Sequence, residues 1–111
     1  MILLAALLAL PTSGFGALYP HARLEAAPER QGCYVRYRFA TPDAMVQVAG
    51  FYRAQAATAG VKLLDDSNTR FPAYRTLAFA TQPRFMDVVM GLEGGHTDVR
   101  VSFKTSETGC G

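Results

Sequence analysis

The sequence predicts an α+β domain: one long helix packed on a five-stranded antiparallel sheet, in chain order β-α-β-β-β-β and spatial order 2-3-4-5-1. Three features point there. A single stretch, 41–60, has helical spacing; four strand-like stretches follow it; and one alternating stretch precedes it.

The first strand is expected over 33–40. Val35, Tyr37 and Phe39 alternate there with Tyr34, Arg36 and Arg38, so one set enters the core and the other faces outward. Thr41 can cap a helix, Pro42 suits its first position because its missing N–H needs no partner there, and Asp43 complements the positive end of the dipole. Met45, Val48, Tyr52, Ala56 and Ala59 recur at spacings of three and four, with Val46, Ala49 and Phe51 widening the stripe. Gly60 supplies a left-handed stop, which gives a helix over 42–59. The second strand is expected at 61–66, ended by the breaker cluster of residues 67–72, and the third at 73–81. The fourth runs over 85–93 up to Gly94 and Gly95, and the fifth over 96–105. In the last, Val99, Val101 and Phe103 face one side, with Asp98, Arg100, Ser102 and Lys104 on the other, as in a sheet covered on one face.

Strand parity then brings two distant residues together. If the first strand runs up and the helix returns the chain, the fifth strand runs down, so Cys33 and Cys110 lie at one end of the sheet. A first strand paired with the fifth requires a helix crossing a diagonal of about 30 Å. An 18-residue helix over 42–59 spans about 27 Å. Cys33 and Cys110 are therefore expected to form a disulfide. Closing so long a loop stabilises a fold by roughly 4 to 5 kcal/mol on the chain-entropy model. A redox role is not expected, because no C-x-x-C occurs.

The compartment follows from the first residues. Ile2 to Leu10 is an unbroken apolar run, ended by Pro11 and followed by small residues. It has the length of a secretory core, well short of the ~20 residues needed to span a bilayer. A signal peptide is expected over 1–16, with Gly14 and Gly16 as the small-x-small pair, then an N-terminal extension over 17–32 and one domain over 33–111. The expected location is periplasmic or secreted, with no transmembrane segment in the mature chain. The net charge of +2, from 11 Lys plus Arg against 9 Asp plus Glu, gives no bulk attraction to nucleic acid.

Candidate sites are few. Tyr34, Arg36, Arg38, Arg100 and Lys104 share the open sheet face if the first and fifth strands are neighbours, forming a cationic patch that Asp98 only partly offsets. Its natural partners are acidic protein surfaces, anionic lipids or polyanionic glycans; alternatively the charges only keep that face wet. His21 and His96 lack metal-ligand spacing, so neither a metal nor any other cofactor is expected. Asp65, Asp66 and Ser67 read as a turn, with no base or metal partner in view, and no catalytic residue is expected. Phe71, Tyr74 and Phe85 are expected to close the ends of the core beneath the helix, the alternative being that some of them form an exposed recognition patch.

Tyr19, Pro20 and Ala22, then Thr41 and Asp43, then Val48, Phe51, Tyr52 and Gly60, form a pattern of Tyr-Pro-x-Ala, Thr-x-Asp and Val-x-x-Phe-Tyr closing at Gly. In this the chain resembles a group of small exported bacterial domains of unknown function. The resemblance implies an exported one-helix, antiparallel-sheet architecture and no substrate. This chain has no cysteine for lipid attachment near its leader and carries Val61 where a Trp often follows the Gly. The expected function is non-enzymatic binding of a macromolecular or anionic partner through the open sheet face. An inhibitor or immunity protein, or a hydrolase with an unrecognised site, are the alternatives, and the oligomeric state is left open.

Overall fold

The computed structural model describes residues 14–70 and 73–104. Its elements are β1 (Arg23–Leu24), β2 (Glu29–Gln31), β3 (Tyr34–Thr41), α1 (Met45–Ala59), β4 (Leu63–Thr69), β5 (Tyr74–Thr81), β6 (Arg84–Glu93) and β7 (His96–Lys104). All pairings are antiparallel, in the order β1-β3-β7-β6-β5-β4, with β2 also on β3.

The expectation of a long helix on a five-stranded sheet is thereby corrected: seven strands form the sheet, and the helix is short. Its 15 residues span about 22 Å, too little for the full diagonal. Thr41 does not cap it. The Thr41 hydroxyl accepts the Asp43 N–H at 3.2 Å, making a local turn, and Thr41 itself still belongs to β3. The cap falls at Ala44, whose N–H donates to Gln47 Oε1 at 2.9 Å, so Gln47 supplies the returning half of a capping box. At the other end Gly60 takes the left-handed conformation (φ 76°), with its N–H on Ala57 O and the Val61 N–H on Ala56 O.

A short helix leaves half the sheet uncovered, and this is why the N-terminal segment is part of the fold. α1 packs on β4, β5 and β6, burying Val48, Ala49, Tyr52 and Ala56. Over β3 and β7 the cover is residues 15–22. Tyr19 stacks on Phe39 with centroids 5.8 Å apart, and Phe15 meets Phe103 edge-on at 6.2 Å. Gly16 lies so close to the Phe103 ring that a Cβ there would collide with it. Its N–H donates to Gln55 Oε1 at 2.7 Å, tying the segment to the helix.

The core holds buried hydroxyls as well. The Tyr37 hydroxyl donates toward the carbonyls of Gly16 and Ala17 (3.0 and 3.1 Å) and lies 2.9 Å from the Tyr52 hydroxyl. Burial pushes both phenols far up, so they act as neutral hydrogen-bonding groups. Tyr19 is pushed up to about 12 by burial and by its hydrogen bond to Asp43.

From His21 the chain passes along the outer edge of β3. β1 pairs with Phe39 and Ala40, β2 with Tyr34, Val35 and Arg36, and residues 25–28 arch between them. The second strand also departs from expectation: β4 continues through Ser67, Asn68 and Thr69, because β5 offers a full ladder partner to a polar edge strand. Among the described residues, no helix is long and apolar enough to cross a membrane.

Candidate functional site

The sheet face away from α1 carries the alternate residues of each strand, and the registers arrange them in rows. Tyr34, Lys104 and Phe85 form the first row across β3, β7 and β6; Arg36, Ser102 and Asp87 the second. Arg38, Arg100 and Val89 form the third, and Ala40, Asp98 and Gly91 the fourth. β5 extends the last two rows with Thr76 and Tyr74. The sequence-predicted residues Tyr34, Arg36, Arg38, Arg100 and Lys104 thus occupy three consecutive rows of one face.

Carboxylates that sequence reasoning did not place there join them. The arch forms a wall along β3, from which Glu29 reaches Arg36 (3.1 Å) and Glu25 reaches Arg38 (3.5 Å). The Glu25 N–H also donates to Arg38 O at 3.0 Å, fixing the wall to the strand. Nothing in the sequence pattern marks these residues, because two- and three-residue strands are too short to show a period. The face is zwitterionic, a finding that replaces the expected cationic patch.

The wall and sheet enclose a groove of about 530 Å³ that reaches Arg38, Arg100 and Asp87. A second, of about 670 Å³, continues past Arg100 to Tyr74 and Asp98, and a third, of about 930 Å³, opens between Gln31, Tyr34 and Phe85. Within them the charges are unevenly matched. The neighbouring Asp98 carboxyl holds Glu25 above the usual carboxylate range; burial adds to this, while Arg38 and His96 pull the other way. Asp98 Oδ1 is buried with no hydrogen-bond partner among the described residues, and His96 Nε2 stands 3.9 Å from it. Burial alone holds the Asp87 carboxyl up. Arg38 and Arg100 are direct cross-strand partners. Arg38 has Glu25, but among the described residues no carboxylate lies within ion-pair distance of Arg100 or Lys104. The Lys104 ammonium instead sits 5.7 Å from the centre of the Tyr34 ring.

The remaining candidates fall elsewhere. Tyr74 and Phe85, expected beneath the helix, lie on the open face: Tyr74 crosses Gly91, and Phe85 packs against Tyr34 at 5.3 Å. They lie there because the core registers of β5 and β6 are set by Leu77 and Phe79 and by Met86, Val88 and Met90. Phe71 lies outside the described residues. Asp66 points to the helix side, where it accepts from Arg75 and Arg53, while Asp65 accepts from the Ser67 hydroxyl. The two acids are therefore on opposite faces. His21 occupies a turn with positive φ (59°). No group of three His, Cys, Asp or Glu among the described residues could hold a metal ion. Cys33 is buried in the turn before β3, and Cys110 lies outside the described residues, as do leader residues 1–13.

No family model, curated protein or solved structure matches this chain.

Proposed function

We propose that this chain is a non-enzymatic, exported binding domain that holds an anionic macromolecule on the open face of its sheet. One observation carries the proposal: Arg38 and Arg100 stand directly opposite each other at the centre of that face, and only Arg38 has a carboxylate partner among the described residues. Like charges directly opposite on neighbouring strands destabilise a sheet by a few tenths to about 1 kcal/mol. An anion above Arg100 relieves that repulsion. Both guanidiniums are exposed along the grooves, where each can give a charge-assisted bond to such a ligand. Export and the Cys33–Cys110 disulfide belong to the same proposal, since the leader-like start suits a compartment in which thiols pair.

The test is titration of labelled poly-glutamate and labelled oligogalacturonate against wild type and Arg100→Glu. Loss of about tenfold or more in affinity for at least one probe on charge reversal is expected. Equal binding by the two proteins to both probes refutes the proposal.

A further inference from the structure

We infer that the end of the open face around Tyr34 and Phe85 is a saccharide site, and that its ligand is an acidic oligosaccharide; the inference rests on the open-face reading above and names the ligand class.

Tyr34 is 46% exposed, although it touches Phe85. The two rings come from β3 and β6 and meet across the intervening strand over Lys104. An aromatic pair within a groove, with Tyr34 exposed and Phe85 half-buried beside it, is a platform for the C–H face of a sugar ring, which packs on an aromatic face while its hydroxyls point sideways. Those hydroxyls need both donors and acceptors at the rim. The groove supplies both, with Gln31 and Ser102 as neutral groups and Arg36 and Glu29 as charged ones. A phosphate site would present donors alone, whereas this lining also carries the carboxylates Glu29 and Asp87.

The acid requirement comes from β7. Lys104 and Arg100 are four residues apart on one face of one strand, about 13 Å at ~3.3 Å per residue. The small Ser102 lies between them, so the floor is open along the strand. Neither cation has a carboxylate partner among the described residues. A linear chain of acidic sugars laid along β7 places one ring on Tyr34 and a carboxylate near each cation.

Calorimetric titration with oligogalacturonate, a neutral oligoglucoside of equal length and poly-glutamate tests this on the full mature protein. The variants are Tyr34→Ala, Arg100→Glu and Val46→Ala, the last on the exposed side of α1. Oligogalacturonate is expected to bind, to lose about tenfold or more with Tyr34→Ala, and to bind Val46→Ala as it binds wild type. The neutral oligomer is expected to bind at least about tenfold more weakly. A matching thermal midpoint for Tyr34→Ala and wild type shows that the fold is kept. Binding unchanged by Tyr34→Ala, a neutral oligomer bound as tightly as the acidic one, or no oligosaccharide bound at all overturns the inference. Poly-glutamate bound and lost with Arg100→Glu, without saccharide binding, overturns the saccharide site and leaves the open-face reading standing. Saccharide binding lost with Tyr34→Ala but unchanged by Arg100→Glu supports the aromatic platform and overturns the placing of an acid at Arg100.

Discussion

Asp66 is the acid whose removal tests the packing of the helix against the far edge of the sheet. Its carboxylate receives Arg75 Nε at 3.0 Å and Arg75 Nη2 at 2.9 Å, a two-pronged bond, and Arg53 Nη1 from α1 at 3.2 Å. Asp66 and Arg75 keep only 20% and 16% of their side-chain surface exposed, whereas Arg53 keeps 50%. Breaking a fully buried pair by removing one partner costs 3–5 kcal/mol, and an exposed pair is worth under about 1. A largely buried two-pronged pair falls between, so Asp66→Ala is expected to destabilise by about 2–3 kcal/mol. Arg53→Ala costs a few tenths. At 4–8 °C per kcal/mol for a domain of this size, Asp66→Ala lowers the midpoint by about 10–20 °C. Double-mutant denaturant titrations of Asp66→Ala and Arg75→Ala should give a coupling of about 1–2 kcal/mol. pH supplies a second readout. The hydrogen bond from Arg75 holds the Asp66 carboxyl below its ordinary value. Its stabilisation is therefore complete above the unfolded value of about 3.9 and is lost as pH falls through the depressed folded value. The gap between wild type and Asp66→Asn should be flat at neutral pH and close in acid. A loss under 0.5 kcal/mol (roughly the scatter of surface substitutions), or no coupling to Arg75, refutes the reasoning.

Two further outcomes are expected. In a carbon-detected NMR titration the Glu25 carboxyl should titrate above the ordinary glutamate value, and Asp98→Asn should bring it back down, because the neighbouring Asp98 carboxyl is the largest cause of the shift. Since a raised folded value favours the native state as pH falls, Glu25 should add stability in mild acid and none at neutral pH; an unshifted Glu25 contradicts the carboxyl pair. Exported protein should have an intact mass two hydrogens below the reduced chain, with Cys33→Ala destabilised by roughly 4–5 kcal/mol; two titratable thiols would exclude the Cys33–Cys110 bond.

What could be read in the residues followed the strength of the local signal. In β7 the alternation of Val99, Val101 and Phe103 with charged and polar residues spans nine positions, enough for a period of two to be unambiguous. β3 is similar, and these two strands placed Tyr34, Arg36, Arg38, Arg100 and Lys104 on one face. The helix begins three residues beyond the expected start because Thr41-Pro42-Asp43 has the composition of a cap but makes a turn, and Gln47 carries the capping contact instead. Residues 67–69 looked like a breaker because Ser, Asn and Thr are polar, yet an edge strand needs only one ladder partner and tolerates polar residues. The segment before residue 33 is the least legible in the sequence. Tyr19 and Ala17 are buried there without any period, since they cover a core as irregular chain, and β1 and β2 are too short to announce themselves. With them went the wall glutamates, and so the true charge balance of the face.

That balance changes what kind of recognition the fold supports. Arg36 and Arg38 are answered by Glu29 and Glu25 from the wall, so at a distance the face presents little net field, in keeping with a whole-chain charge of only +2. Exposed charges separated by more than the Debye length, about 10 Å at 0.1 M salt, are largely screened from one another. Long-range steering therefore contributes little to how a partner arrives. Discrimination has to occur within the grooves, where Arg100 and Lys104 stand on the central strand with the wall on one side and Phe85 and Asp87 on the other. A ligand gains there only if its acids match the spacing of those two cations and its body fits the surface between them. The same short N-terminal segment that completes the core over β3 and β7 builds the wall that makes this matching possible, so the stability of the domain and the shape of its open face rest on one stretch of chain.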